Sequence, residues 1–153
     1  MTTNTRFAVG IHILTLLARS RESPVTSEFI GRSVNTNPVV IRRVLGDLRR
    51  ARLVIAHGGN GGGWRLERDA DDITLADVYG AVEGKMLFPL HHKPPNPECP
   101  VGRHIQRSLT ERFAAAGVAL RAELARTSVA DMVRGISDGV DAVAAGPVGT
   151  ATH

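Results

Sequence analysis

The stretch VNTNPVVIRRVLGDLRRARLVIAHGGNGGGWRLE, from Val34 to Glu67, decides how the rest of the chain is read. Asn37-Pro38 is a helix start, because an asparagine oxygen can cap free backbone N–H groups and a proline at the first helical position loses no hydrogen bond. From there Ile41, Val44, Leu45 and Leu48 recur at three- and four-residue steps on one face, while Arg42, Arg43, Arg49 and Arg50 fall outside that stripe. One face is built to pack and the other is cationic. Leu53-Val54-Ile55-Ala56 is short and apolar, the run Gly58-Gly59-Asn60-Gly61-Gly62-Gly63 excludes regular structure, and Trp64-Arg65-Leu66 resumes an in-out alternation. The reading is a helix over 38–51 followed by a hairpin, or wing, over 53–66.

Two other readings of the glycines fail on spacing. A dinucleotide fingerprint needs G-x-G-x-x-G ahead of a helix, but counting from Gly59 and Gly61 the sixth place is Trp64, and a strand-like segment follows. A phosphate-binding loop needs Lys after the last glycine, and Trp64 stands there instead. A mobile turn without a ligand is the plain alternative; directly after an arginine-bearing helix, the wing with Gly59, Gly61, Gly62 and Gly63 at its tip is the better reading.

Upstream, Val25-Thr26-Ser27-Glu28 opens a short helix with Thr26 as N-cap, and Val34-Asn35-Thr36 turns into the Pro38 helix. Two short helices joined by a tight turn ahead of a hairpin are the grammar of a winged helix-turn-helix, whose second helix lies in the major groove of DNA. Asn35, Thr36, Asn37, Val39, Arg42 and Arg43 are therefore placed at the bases, with backbone or solvent roles for Arg49, Arg50 and Arg65. The charge distribution agrees. Residues 1–68 carry 11 Lys+Arg against 4 Asp+Glu, net +7, and residues 69–153 carry 8 against 11, net −3, so the formal net charge of +4 hides a basic excess on the half that holds the reading elements.

The 153 residues suit one core, or one small domain with a helical accessory. No run is long and apolar enough to span a membrane and no signal sequence opens the chain, so a cytoplasmic protein is expected. Cys99 is the only cysteine, which excludes an intrachain disulfide framework and any single-chain metal site of several cysteines.

Residues 5–19 predict a helix that is apolar nearly all round, leaving a narrow strip at His12, Thr15 and Arg19. Such a helix is covered on more than one side, here by its own domain and, on this reading, by a partner subunit. Thr74 with Asp77 caps a further helix, and Pro89, Pro94, Pro95, Pro97 and Pro100 keep residues 84–100 as loop. Val101, Ile105, Leu109, Phe113, Ala116, Leu120 and Leu124 then form one stripe along a helix of roughly 25 residues, which reads as a dimer helix. Ser128 with Asp131 caps a last helix, and from Gly139 onward a disordered tail is expected. The expected organisation is thus a winged helix-turn-helix domain at 1–83, a sensor loop at 84–100, dimerisation helices at 101–138 and a tail at 139–153. The fold class is mainly α with a small β-hairpin.

Several of these segments together resemble one family. Leu48-Arg49-Arg50-Ala51-Arg52-Leu53-Val54, Gly59-Asn60-Gly61-Gly62-Gly63-Trp64-Arg65-Leu66 and Ile73-Thr74-Leu75-Ala76-Asp77-Val78 are similar to the L-x-x-A-G-L-V, G-x-x-G-G-Y-x-L and I-T-L-x-D-V segments of the Rrf-two (Rrf2) family of bacterial regulators. The helix from Phe7 to Ala18 and the run Pro95 to Gly102 resemble its cluster-free branch. The resemblance implies a homodimeric winged-helix transcriptional regulator, usually a repressor, that reads a near-palindromic operator in double-stranded DNA. It also marks two departures: Gly58 where members often carry Arg, with His57 or Arg65 as substitutes, and Arg52 where glycine usually ends the recognition helix. Cluster-binding members use three cysteines per chain in the sensor loop. With Cys99 alone, a cluster would have to recruit His12, His91, His92 or His104, so no cofactor and no metal are expected, and these five residues stand as possible sensor groups.

Two further functions compete. Cys99 with His91, His92 or His104 as base would suit a Cys/His enzyme, but nothing fixes a third group to orient the base. A winged helix used only as a protein-binding module is disfavoured by the cationic helix.

Overall fold

The computed structural model describes residues 5–84 and 87–144. Helices α1 (Arg6–Arg19), α2 (Ser27–Val34) and α3 (Pro38–Arg50) lead into an antiparallel hairpin of β1 (Val54–His57) and β2 (Gly63–Leu66). A single helical turn at Ala70–Asp72 precedes α4 (Leu75–Val82), α5 (Pro100–Leu124) and α6 (Val129–Ala144). The winged helix-turn-helix with a long accessory helix is therefore the architecture. No helix among the described residues is long and apolar enough to cross a membrane.

One apolar cluster holds the first half together. Ile41, Val44, Leu45 and Leu48 of α3 are buried against Ile13, Leu14 and Leu17 of α1, Ile30 of α2, Val54 of β1 and Val78 of α4. These are the positions at helical spacing, so the stripe that reads as packing face does pack. The core reaches further along the chain than expected, because Val129 and Ala130 of α6 are buried in it and α6 lies along α1. The second cover over α1 thus comes in part from the same chain. Helix α6 also runs through Gly139, where a tail was expected to begin, as far as Ala144. One glycine costs a helix only about 1 kcal/mol, and the alanines and valines that follow are compatible with helix. The remainder of that expected tail, 145–153, lies outside the described residues.

The starts of α4 and α6 are locked side by side. Thr74 and Asp77 form a reciprocal capping box, and Ser128 and Asp131 form another: the Ser128 N–H donates to Asp131 at 2.8 Å and the Asp131 N–H to the Ser128 hydroxyl at 3.0 Å. Between them Leu75 N–H donates to the Thr127 carbonyl at 2.9 Å and Val129 N–H to the Ile73 carbonyl at 2.8 Å. The Ser128 backbone N–H, then the Arg134 guanidinium and the Ser128 hydroxyl, hold the Asp131 carboxyl below its ordinary range.

Arg52 occupies the left-handed cap at the end of α3, with φ of 60°. The turn that glycine usually makes is kept, and the side chain pairs with Glu67 at 3.1 Å. A left-handed backbone costs a residue with a Cβ about 1–2 kcal/mol, whereas an exposed ion pair contributes about 0–1 kcal/mol. Arg52→Gly is therefore expected to stabilise the fold by about 0.5 kcal/mol after the extra chain entropy of glycine. Thermal denaturation checks it, as a midpoint raised by about 1–3 °C; a lowered midpoint would mean that the Arg52–Glu67 pair outweighs the strain.

Candidate nucleic-acid interface

The turn between α2 and α3 is set by three residues expected at the bases. Asn35 ends α2 at φ 54°, a conformation that asparagine tolerates better than most side chains. Asn37 spends its side-chain oxygen on the α3 cap, accepting from Val39 N–H at 2.8 Å, which leaves its amide N–H groups for a ligand. Asn35, Thr36, Asn37 and Arg42 line one cleft together with Arg32 and Glu28. Val39, on the first turn of α3, is 54% exposed, an apolar group held out at a position where a thymine methyl could meet it.

The arginines divide into engaged and free. Arg50 pairs with Asp47, Arg65 donates to the Glu22 carbonyl at 3.0 Å, and Arg52 is held by Glu67. Arg42, Arg43 and Arg49 are exposed and have no side-chain partner among the described residues. Three guanidiniums on one helix without an ion-pair partner are an arrangement suited to a polyanion. Of the two substitutes for the missing wing arginine, Arg65 is tied back at the base of the hairpin and His57 is exposed on β1.

Three supporting contacts have no counterpart in the reading of the sequence. Trp64 of β2 donates from its indole Nε1 to the Ser27 hydroxyl at 3.1 Å and exchanges backbone bonds with Val25 at 2.8 and 3.0 Å, so the wing is fastened to α2. Gly63 is required there, since a Cβ would lie 2.7 Å from the Val25 carbonyl oxygen, and Gly62 is packed against the His57 carbonyl in the same way. Asp47, nearly buried, accepts from both Arg6 and Arg50 and ties the end of α3 to the start of α1. Arg32 lies over the Phe29 ring at 5.8 Å and adds a cation beside Asn35 that the sequence reading left without a role. Its position in the last turn of α2, next to the expected base-contacting turn, was the available signal.

In the accessory half, α5 is 25 residues long and none of them is buried. Ile105, Leu109, Phe113 and Leu120 are half-buried against their own chain, Ala116 is exposed, and Val101 and Val118 are 67% and 70% exposed. Phe113 packs on Phe88 of the loop with ring centroids 5.2 Å apart, so part of the expected dimer stripe has an intrachain neighbour. Cys99 is exposed at the N-cap of α5. His12 hydrogen-bonds the Ser33 hydroxyl at 2.9 Å, linking α1 to α2, while His91, His92 and His104 are exposed.

Fold and surface together define a winged-helix DNA-binding protein. Comparison with known proteins gives the family. Residues 3–135 match the family model described as Rrf2, iron-dependent transcriptional regulator, and the chain belongs to this family. It is 42% identical over 130 residues to YwnA of Bacillus subtilis strain 168, named as a candidate HTH-type transcriptional regulator, with 85% of this chain and 96% of that one covered. A solved structure described as a candidate DNA-binding protein is 40% identical with a TM-score of 0.65, covering 83% of this chain and 97% of that chain. CymR (YrzC), the global cysteine regulator of B. subtilis, shares the fold at 24% identity with a TM-score of 0.64, covering 88% and 97% of the two chains. The protein is a transcriptional regulator, and a Cys/His enzyme is not its class.

The iron in the family description meets an unsuitable donor set here. Cys99 is the sole cysteine, and among the described residues no three His, Cys, Asp or Glu side chains lie together so as to hold a metal ion. An iron–sulfur cluster is normally held by four ligands, mostly thiolates, so Cys99, His12, His91, His92 and His104 of one chain do not fit it.

Proposed function

We propose that the chain is a cluster-free, dimeric repressor of the cytoplasm that reads a near-palindromic operator through helix 38–51 and the wing 53–66. The observation that carries this reading is the set of unpaired cations Arg42, Arg43 and Arg49 on the open side of α3, beside the polar turn Asn35, Thr36 and Asn37. A two-fold dimer would present two such helices to successive major-groove faces about one helical turn apart. Helix α5 supports the dimer because its apolar stripe lacks a full cover. An apolar groove between α1 and α6, at Ala8, Ile11, Leu16, Met132 and Ile136, offers the partner additional surface. In this reading 1–83 together with the start of α6 is the DNA-binding unit and α5 the dimer helix. Residues 84–100 form the sensor segment, with Cys99 as its accessible thiol.

Selection of duplexes from a random pool by the purified protein tests the function. The expected product is an inverted repeat with half-sites about one turn apart, bound far more tightly than random duplex and with a steep salt dependence. Enrichment of a single unpaired half-site would overturn the dimeric mode, and no enrichment together with salt-insensitive binding would overturn DNA reading.

A further inference from the structure

A cleft of about 340 Å³ opens between α4, the loop at residues 87–90 and α5. Its walls are mostly apolar, with Phe88, Phe113 and Leu120 among them, and the polar residues of the lining are Tyr79, Thr110 and Arg121. Thr110 donates its proton to the Gln106 carbonyl at 2.7 Å, so its oxygen is left as an acceptor. Arg121 has no side-chain partner among the described residues, and no acidic residue lines the cleft. An arginine in the lining of an apolar recess that holds no counter-charge is complementary to a ligand that carries its own carboxylate.

We infer that this cleft binds a small amphipathic monocarboxylate, its apolar body against the Phe88–Phe113 pair and its carboxylate on Arg121. The volume is at the lower end of the roughly 300–1,000 Å³ usual for ligand clefts, which suits a single ring or short chain. This deepens the sensor role proposed for residues 84–100 and rests on it. The site is also connected to the reading head. Tyr79 stacks edge-on against Phe7 of α1 at 5.3 Å, and its helix α4 packs on α3, so an occupant that displaces Tyr79 acts on the recognition helix.

Titration of the full chain with phenylacetate, followed by ligand-observed NMR and calorimetry, tests the site. Phenylethanol and phenethylammonium serve as the neutral and cationic counterparts. Phenylacetate is expected to saturate, with phenylethanol at least about tenfold weaker, the usual effect of losing a charge-assisted hydrogen bond. Arg121→Ala removes that preference, and Arg112→Ala, on the same helix but outside the lining, preserves it. Gly117→Leu is expected to fill the cleft and abolish binding of all three; a Cβ at Gly117 meets no atom within 4 Å, so the side chain starts without a clash, and circular dichroism checks that the variant keeps its helical content. Equal affinity for the three compounds, no saturation by wild type, or binding unchanged in Gly117→Leu would each overturn the site. Spontaneous disulfide crosslinking of a Gly117→Cys, Cys99→Ser chain to a second copy would also overturn it, by giving the cleft to the dimer. Duplex affinity measured without phenylacetate reports on DNA reading separately, so a failure of either idea is distinguishable from a failure of the other.

Discussion

Replacing Arg42 and Arg43 together by alanine is expected to weaken operator binding by about 2–6 kcal/mol, since each arginine that reads a base edge contributes about 1–3 kcal/mol. The expectation follows from their state in the free protein: both are exposed on α3 and neither has a side-chain partner among the described residues, so no intramolecular bond has to break before they meet DNA. Removing them leaves the core face of α3, Ile41, Val44, Leu45 and Leu48, untouched. Anisotropy titrations at several salt concentrations distinguish the two ways of losing affinity. An arginine on phosphate lowers the salt slope by about one unit, whereas an arginine on a base relaxes sequence preference at one position. Arg50→Ala and Arg65→Ala serve as controls, because Asp47 and the Glu22 carbonyl already hold those side chains, and each should cost much less. A double variant that binds as tightly as wild type, with its helical content intact, would remove α3 from the groove.

The elements legible in the sequence are those whose signals are local. The Asn37-Pro38 start, the four-residue stripe of α3, the glycine run of the wing, and the Thr74/Asp77 and Ser128/Asp131 boxes each lie within a few residues, and each is formed. The contacts that orient these elements were not legible because they join distant residues whose local context suggests nothing. Asp47 reads as a surface acid in a basic helix, yet it meets Arg6 of α1 across 41 positions. Trp64 reads as a strand residue, yet its indole finds Ser27 across 37 positions. The docking of α6 on α1 is of the same kind. Its apolar residues reveal that it packs, and its start is fixed by the bridge between residues 73–75 and 127–129, which lie far apart in the sequence. The wing shows the limit in the other direction: its glycines announce a turn, but the need for Gly63 arises from the Val25 carbonyl, which the sequence places far away.

Ala116→Asp is expected to convert the proposed dimer into monomers at micromolar concentration. Phe113→Asp would be ambiguous, because Phe113 also packs on Phe88 of its own chain, and Leu109 is half-buried within the protomer. Ala116 is exposed on α5, so a carboxylate there stays solvated in the isolated protomer and costs the helix no more than about 0.7 kcal/mol in propensity. In a two-fold interface running along α5 the same substitution puts two like charges near the axis and removes both from water. An unpaired buried charge costs about 3–5 kcal/mol, which raises the dimer dissociation constant by a hundredfold or more. Sedimentation velocity across a concentration series measures this directly. The DNA result should follow from it: a monomer reaches one half-site, so affinity for the full inverted repeat falls while affinity for an isolated half-site holds, and the salt slope drops towards half its wild-type value. If Ala116→Asp and Leu109→Asp both sediment as wild-type dimers, the twin helices do not meet along this stripe. The open groove between α1 and α6 is then the next face to test.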